Sequence, residues 1–225
     1  VWDARHIRGE HLHDVWQLNF HAVGRVAQRY TGIADVVNGC TGSLYGPRGD
    51  RPSRESDPPR PQDDYSLARL AQEKLIDHFA QVGGRRAVHL RYFHANHECG
   101  GILRRFADQI LAEDPLGPTP DARVQAIGLS DLVRCTVESM RVLEQLPAGG
   151  STAINICHPR IWTQRELAER LARELDRKRV KFDRPAGGEE TSVWGDASRM
   201  IATFGEPEED LDELIGRVCT AAREG

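Results

Sequence analysis

No run of apolar residues approaches the ~18 to 20 that a membrane-spanning helix requires, so a helical membrane protein is excluded. Nor is one sign of charge in excess. Thirty Lys and Arg against 34 Asp and Glu leave a net charge of -4 and a pI near 6.2. That balance gives no field to draw a nucleic-acid backbone, and general nucleic-acid binding is not expected, although the arginines between Arg48 and Arg60 keep a local anion site open. Cysteine pairs are missing too. Cys40, Cys99, Cys135, Cys157 and Cys219 are odd in number and scattered, with no C-x-x-C and no zinc-ribbon spacing, which fits a reducing cytoplasm. The start, Val1 to Arg5, has neither an initiator Met nor the basic-then-apolar pattern of a signal peptide, and an incomplete amino terminus is expected. No period of 20 to 50 residues repeats, which excludes solenoids and propellers.

What is present is 225 residues, 39% hydrophobic and 28% charged, enough to bury a core without disulfides or metals. Short apolar runs alternate with amphipathic helical patterns, which reads as α/β. A helix over Leu18 to Tyr30 leads into a strand, Ile33 to Asn38, and a Gly/Pro/Arg-rich loop over Gly39 to Asp64. The next helix, Tyr65 to Gln81, places Leu67, Leu70, Ala71, Leu75 and Phe79 on one face and stops at Gly83-Gly84. Ala87 to Phe93 is a buried strand. Beyond Gly100 the pattern predicts a helix at Ile102 to Ala112, a strand at Val124 to Leu129, and a helix opened by Ser130-Asp131 with Leu132, Val133, Val137, Met140 and Leu143 inward. Then follow a strand at Thr152 to Cys157, a helix opened by the capping box Thr163-x-x-Glu166 and carrying Leu167, Leu171 and Leu175, a strand at Val180 to Phe182, and a last helix from Leu211 to Arg223.

Gly39-Cys40-Thr41-Gly42-Ser43-Leu44-Tyr45-Gly46 follows a strand and offers glycines, but it runs into Pro47, Pro52, Pro58, Pro59 and Pro61 instead of a helix. A phosphate loop needs helix amides facing the pyrophosphate, so that reading fails. Tyr65 and Arg69, four residues apart, share a helix face. A guanidinium near a phenol favours the phenolate, drawing its pKa down from ~10 toward acid–base use; the plainer alternative is a solvated surface pair. His94, His97, Glu98 and Cys99 are all ligand types, yet no second cluster accompanies them, and a metal site is not expected. The dispersed Trp2, Trp16, Trp162 and Trp194 read as core or seam fillers.

Taken in order, Thr41, Leu44-Tyr45-Gly46, Tyr65-x-x-x-Arg69 and Arg91-Tyr92-Phe93 resemble the extended short-chain dehydrogenase/reductase family of nucleotide-sugar epimerases and dehydratases, with its S/T-x-x-V-Y-G loop, Y-x-x-x-K helix and R-[YP]-F-N strand end. Upstream, Asn19 to Gly24 resembles that family's N-V-x-G-T helix; downstream, Ala153 to Ile156 resembles its y-N-i-g strand. The resemblance starts at the family's fourth strand, matched to Val1 to Arg5, so three strands and the glycine-rich loop are expected in an N-terminal extension of ~70 to 80 residues. It implies the second half of a Rossmann-like, doubly wound parallel sheet, with residues 1–99 a partial NAD-binding domain and 100–225 mainly a smaller α/β substrate lobe. It further implies that Asn19, Tyr65, Arg69 and Phe93 bind NAD, or NADP instead, that Thr41 and Tyr65 act on the sugar hydroxyl with Arg69 in support, and that Thr41 and His94 meet substrate. A nucleotide sugar is the implied substrate, and a homodimer through the helices Leu18 to Tyr30 and Tyr65 to Gln81 the implied assembly.

Three departures stand out. Arg69 replaces the family's Lys, which is not a conservative exchange. His94 replaces Asn. Gly42-Ser43 stand where dehydratases and decarboxylases carry an acid, so elimination of water lacks a general acid and base, and 4-epimerase or reductase chemistry fits better. A non-catalytic nucleotide-binding relative is the remaining alternative.

Overall fold

A computed structural model of the chain describes residues 12–183 and 192–225, so the strand expected at Val1 to Arg5 lies outside the described residues. The chain divides into two compact units. The first holds residues up to Gly46, Glu55–Arg91 and Thr136–Ile154; the second holds Pro47–Arg54, Tyr92–Cys135 and Asn155–Gly225.

The first unit opens with a helix that changes pitch: α1 (Leu12–Trp16), a π-helical segment (Gln17–Ala22) and α2 (Val23–Arg29). β1 follows at Val36–Thr41, three residues later than the apolar run suggested, because Ile33 is 59% exposed in the turn after α2. A short 3-10 turn (Gly42–Tyr45) then carries the chain off the sheet. α3 (Asp64–Gly83) starts where Asp63 accepts the Ser66 amide at 2.7 Å, and it ends at Gly84, whose φ of 62° is the left-handed cap that glycine adopts without a Cβ penalty. β2 (Ala87–Tyr92) and β6 (Ser151–Ile156) complete a sheet of order β1-β2-β6. The Ala87 amide bonds the Gly150 carbonyl and the Phe93 amide the Ile156 carbonyl, the same stagger at both ends, as parallel strands require. Ala27, Ile76, Ala80 and Ala87 form the core between helices and sheet.

The inward face of α3 differs from expectation. Ser66, Ala68, Gln72, Glu73, Ile76 and Ala80 are the buried positions, while Leu67 is exposed. The apolar stripe lies one step round the helix, where Leu75 packs against Gly24 of α2.

In the second unit, α4 (Gly101–Leu111), α6 (Gln164–Glu174) and α8 (Leu211–Glu224) share a core built on Phe106, Leu171, Ile215 and their neighbours. The Thr163–Glu166 capping box is present on both arms, the Glu166 amide bonding Thr163 Oγ1 at 3.1 Å and the Thr163 amide bonding Glu166 Oε2 at 2.7 Å. The single strand expected at Val124 to Leu129 is two short ones: β4 (Arg123–Val124), antiparallel to β7 (Trp162–Thr163), and β5 (Ile127–Gly128), parallel to β3 (Ala95–Asn96). Val180 to Phe182 makes only an isolated bridge to Leu116, and a short helix, α7 (Ser198–Phe204), was not foreseen.

α5 (Leu129–Gln145) runs from the second unit into the first. Its buried positions are Asp131, Cys135, Ser139 and Leu143; Leu143 is inward as the pattern predicts, whereas Val133, Val137 and Met140, expected inward, are exposed. Asp131 does not cap its own helix. Its carboxylate takes the backbone amides of Glu208 and Glu209 at 2.9 and 3.0 Å and the Arg134 guanidinium, which turns that face inward.

Candidate active site

Four of the residues singled out from the sequence meet in the first unit, at the carboxyl end of β1. Thr41 closes the strand and caps the 3-10 turn: its Oγ1 accepts the Ser43 amide at 3.2 Å and pairs with Ser43 Oγ at 2.6 Å. The Thr41 hydroxyl lies near enough to the Tyr65 phenol to favour its ionised form. Tyr65 is the second residue of α3, held by the Asp63–Ser66 capping box just before it. One turn on, Arg69 donates Nη1 to Asn19 Oδ1 at 3.3 Å and Nη2 to the Gly39 carbonyl, with its guanidinium carbon 6.0 Å from the Tyr65 ring centre. Asn19 lies within the π-helical segment, a geometry that often accompanies functional sites, and its Nδ2 donates to the Val15 carbonyl at 2.8 Å.

The electrostatics correct one expectation. Burial is the largest influence on Tyr65 and pushes the phenol above its ordinary value; Arg69 and the Thr41 hydroxyl pull the other way without cancelling it. Tyr65 therefore rests as the acid. Arg69 Nε is buried with no hydrogen-bond partner among the described residues. Such a donor suits an acceptor brought by a ligand, and a ribose hydroxyl has the right chemistry, so the Tyr65–Arg69–Asn19 cluster fits the ribose of a nicotinamide cofactor.

Phe93 and His94 belong to the second unit. Phe93 is buried, with its amide bonded to Ile156. His94 takes φ 46°, in the left-handed region where Asn, Asp and His are the favoured non-glycine residues, which accounts physically for His and Asn exchanging there. Its side chain meets solvent, yet dense surrounding protein and the Arg105 guanidinium push the imidazole down to about 4, and it is neutral near pH 7. His97 accepts the Cys99 amide and Glu98 pairs with Arg217.

The sequence reading missed the polar groups behind the site. Glu73, four residues beyond Arg69 on α3, receives Arg91 Nε at 3.0 Å and Nη2 at 2.8 Å, while Arg91 Nη1 donates to the Tyr45 hydroxyl at 2.5 Å. Burial opposes ionisation of Glu73, but the Arg91 hydrogen bonds and charge hold its carboxyl below the usual range. Next to this, Asn38 Nδ2 faces His89 Nδ1 at 3.0 Å and His89 Nε2 faces Asp77 Oδ1 at 2.8 Å. The helical spacing Tyr65, Arg69, Glu73 was the one signal that pointed at Glu73.

The model of the NAD dependent epimerase/dehydratase family matches residues 8–156. Among curated proteins none matches. Of solved structures, UDP-glucose 4-epimerase from Thermotoga maritima with UDP-glucose aligns with TM-score 0.82 at 19% identity, over 98% of this chain and 74% of that one. The dTDP-glucose 4,6-dehydratase of Bacillus anthracis in complex with NAD aligns at 0.77 and 14%, over 94% and 70%. RMD from Pseudomonas aeruginosa complexed with NADPH aligns at 0.80 and 19%, over 100% and 79%. At these identities the likeness carries the Rossmann-like fold.

Proposed function

The chain belongs to the NAD dependent epimerase/dehydratase family, and from that premise we propose that it acts on a nucleotide sugar as a 4-epimerase, with Tyr65 as acid–base residue. The observation that carries this reading is the Arg69 guanidinium, which stands 6.0 Å from the Tyr65 ring centre, is hydrogen-bonded to Asn19 and the Gly39 carbonyl, and keeps a buried Nε, unpartnered among the described residues, for a ligand. NAD supplies the family's hydride acceptor. In this reading Tyr65, which rests protonated, first gives its proton to water and then, as phenolate, takes the proton of the sugar hydroxyl while the sugar carbon is oxidised, returning it when the keto-sugar is reduced on its other face. Thr41 donates to the oxygen on which charge develops. Arg69 and Asn19 hold the ribose, with Arg69 also stabilising the phenolate. Residues 1–99 serve the cofactor, with Phe93 against the nicotinamide, and residues 100–225 serve chiefly the sugar; His94 is a substrate contact.

Ser43, where an acid would serve a dehydratase, supports epimerisation over elimination, since a hydroxyl with an ordinary pKa neither donates nor removes a carbon-bound proton at neutral pH. The NADPH-bound neighbour favours a second reading, a reductase using the same Tyr65 and Thr41. An assay of nicotinamide absorbance with a panel of nucleotide sugars separates them: epimerised product with no net cofactor change supports the first, stoichiometric NADPH consumption the second, and neither sinks both. Tyr65→Phe is expected to cost ~10²- to 10⁴-fold in turnover with folding intact, the usual worth of a proton-transferring group; full turnover would remove Tyr65 from the mechanism. A homodimer through α2 and α3 is part of the proposal, supported by Val26, Tyr30 and Leu67 standing exposed on those elements, and a monomer mass in light scattering refutes it. Five free cysteines support a reducing compartment. No helix among the described residues is long and apolar enough to cross a membrane.

A further inference from the structure

Glu73 and Arg91 are a buried ion pair, 1% and 8% exposed, and the reaction above uses neither. Removing such a pair from water is costly, and its attraction alone often fails to repay that cost against an apolar pair of the same volume. What sets this pair apart is what it holds. Arg91 gives two donors to Glu73 and its third to the Tyr45 hydroxyl, with the guanidinium carbon 4.9 Å from the Tyr45 ring centre. The Cys40 thiol, just before Thr41, is held separately by the Arg69 carbonyl at 3.7 Å. Tyr45 closes the 3-10 turn that Thr41 caps. The pair thus grips the far end of the turn that presents the Thr41 hydroxyl.

The other end of this arrangement is α3. Glu73 lies eight residues after Tyr65 on that helix, which at the helical rise places it ~12 Å along a rigid rod. Tyr45 is fully buried and Gly46 beside it is packed under the Arg60 carbonyl, so the turn has little freedom of its own. We propose that Glu73 and Arg91, acting through Tyr45, are positioning residues that fix the turn presenting the Thr41 hydroxyl to Tyr65. The proposal rests on the reading of Thr41 and Tyr65 as the reacting pair.

Tyr45→Phe is the cleanest probe. It removes one hydroxyl, keeps the ring, and alters none of the charged or titratable groups around Tyr65, which are Arg69, Cys40 and Asp63. Any change at Tyr65 must then travel through geometry. The readout is the titration of Tyr65 by NMR in protein carrying ¹³C at the tyrosine ring carbon bonded to oxygen; there are four tyrosines, and Tyr65→Phe identifies the signal. Thr41→Val should move Tyr65 ionisation up by about one to two pH units, the worth of a hydrogen bond to a charged oxygen. Tyr45→Phe should move it the same way by about half a unit. In the Thr41→Val background, Tyr45→Phe should add no further shift, because its whole effect runs through Thr41. A merely structural pair would lower the melting temperature and leave the titration where it was. The proposal is overturned if Tyr45→Phe leaves Tyr65 unmoved, or if the shift is the same size with and without Thr41. Failure of the catalytic reading shows separately, as turnover that survives Tyr65→Phe.

Discussion

Arg69→Lys separates two things that a single arginine does at this site. The guanidinium spans two acceptors, Asn19 Oδ1 at 3.3 Å and the Gly39 carbonyl, and it places a positive charge 6.0 Å from the Tyr65 ring centre. An ammonium is a point charge on a shorter reach, able to keep one of those acceptors but not both. Losing one charged hydrogen bond is worth about 1.5 to 3 kcal/mol, so the melting temperature should fall by about 3 to 12 °C for a chain of this size. The charge itself survives in Lys. Coulomb's law at an effective dielectric of about 20 gives roughly 3 kcal/mol at this separation, and partial exposure reduces that to the order of one pH unit on the phenol. Arg69→Lys should therefore lose stability while Tyr65 ionisation moves little, whereas Arg69→Met should lose stability and move Tyr65 upward by about that unit. Turnover should fall in both, and further in Met. Thermal unfolding by circular dichroism and the ring-¹³C titration of Tyr65 give the two numbers independently. If Arg69→Lys melts with the wild type, the fork geometry is immaterial; if Arg69→Met leaves Tyr65 in place, the guanidinium does not act on the phenol.

Gly46 takes φ 65° and ψ 177°, and a Cβ there would stand 2.4 Å from the Arg60 carbonyl oxygen, so Gly46→Ala should cost at least ~2 kcal/mol and lower the melting temperature by about 4 °C or more; an unchanged melting curve would show that the turn relaxes. His94, held down to about 4 against an ordinary 6.5, takes up its proton in the unfolded chain first, so stability should decline as pH falls from about 6.5 to 4 and that decline should shrink in His94→Asn. Because the side chain meets solvent, we expect the effect to be smaller than the full displacement implies. Asp77 is the opposite case: burial opposes its charge, but hydrogen bonds from His89 and Ser151 hold its carboxyl well below the usual range. Its contribution is present above pH ~4 and lost as pH falls below that. Melting temperatures of Asp77→Asn and wild type should then converge only in strong acid; curves that run parallel from neutral pH downward would contradict the assignment.

Local chemistry was legible where the decisive contacts are near in sequence. The Thr163–Glu166 capping box, the stop at Gly84 and the spacing of Tyr65 and Arg69 on one helix face are all set within one or two turns, and the structure has each of them. The order of strands and helices is legible for the same reason, and with it the α/β class. Which face of a helix turns inward is a different kind of fact. Periodicity shows that α5 has an apolar stripe, but Asp131 finds its partners at Glu208 and Glu209, far along the chain, and that contact buries the polar stripe and leaves Val133, Val137 and Met140 outside. Glu73 is not singled out by the sequence reading, and it becomes the buried partner of Arg91 only because α3 packs on the sheet that holds β2. Tyr65 makes the division plainest: its neighbour Arg69 is readable four residues on, and that charge does pull the phenol down. The stronger influence is burial, a property of everything packed around it, so the sequence determined which groups would meet and the tertiary structure decided which protonation state they hold.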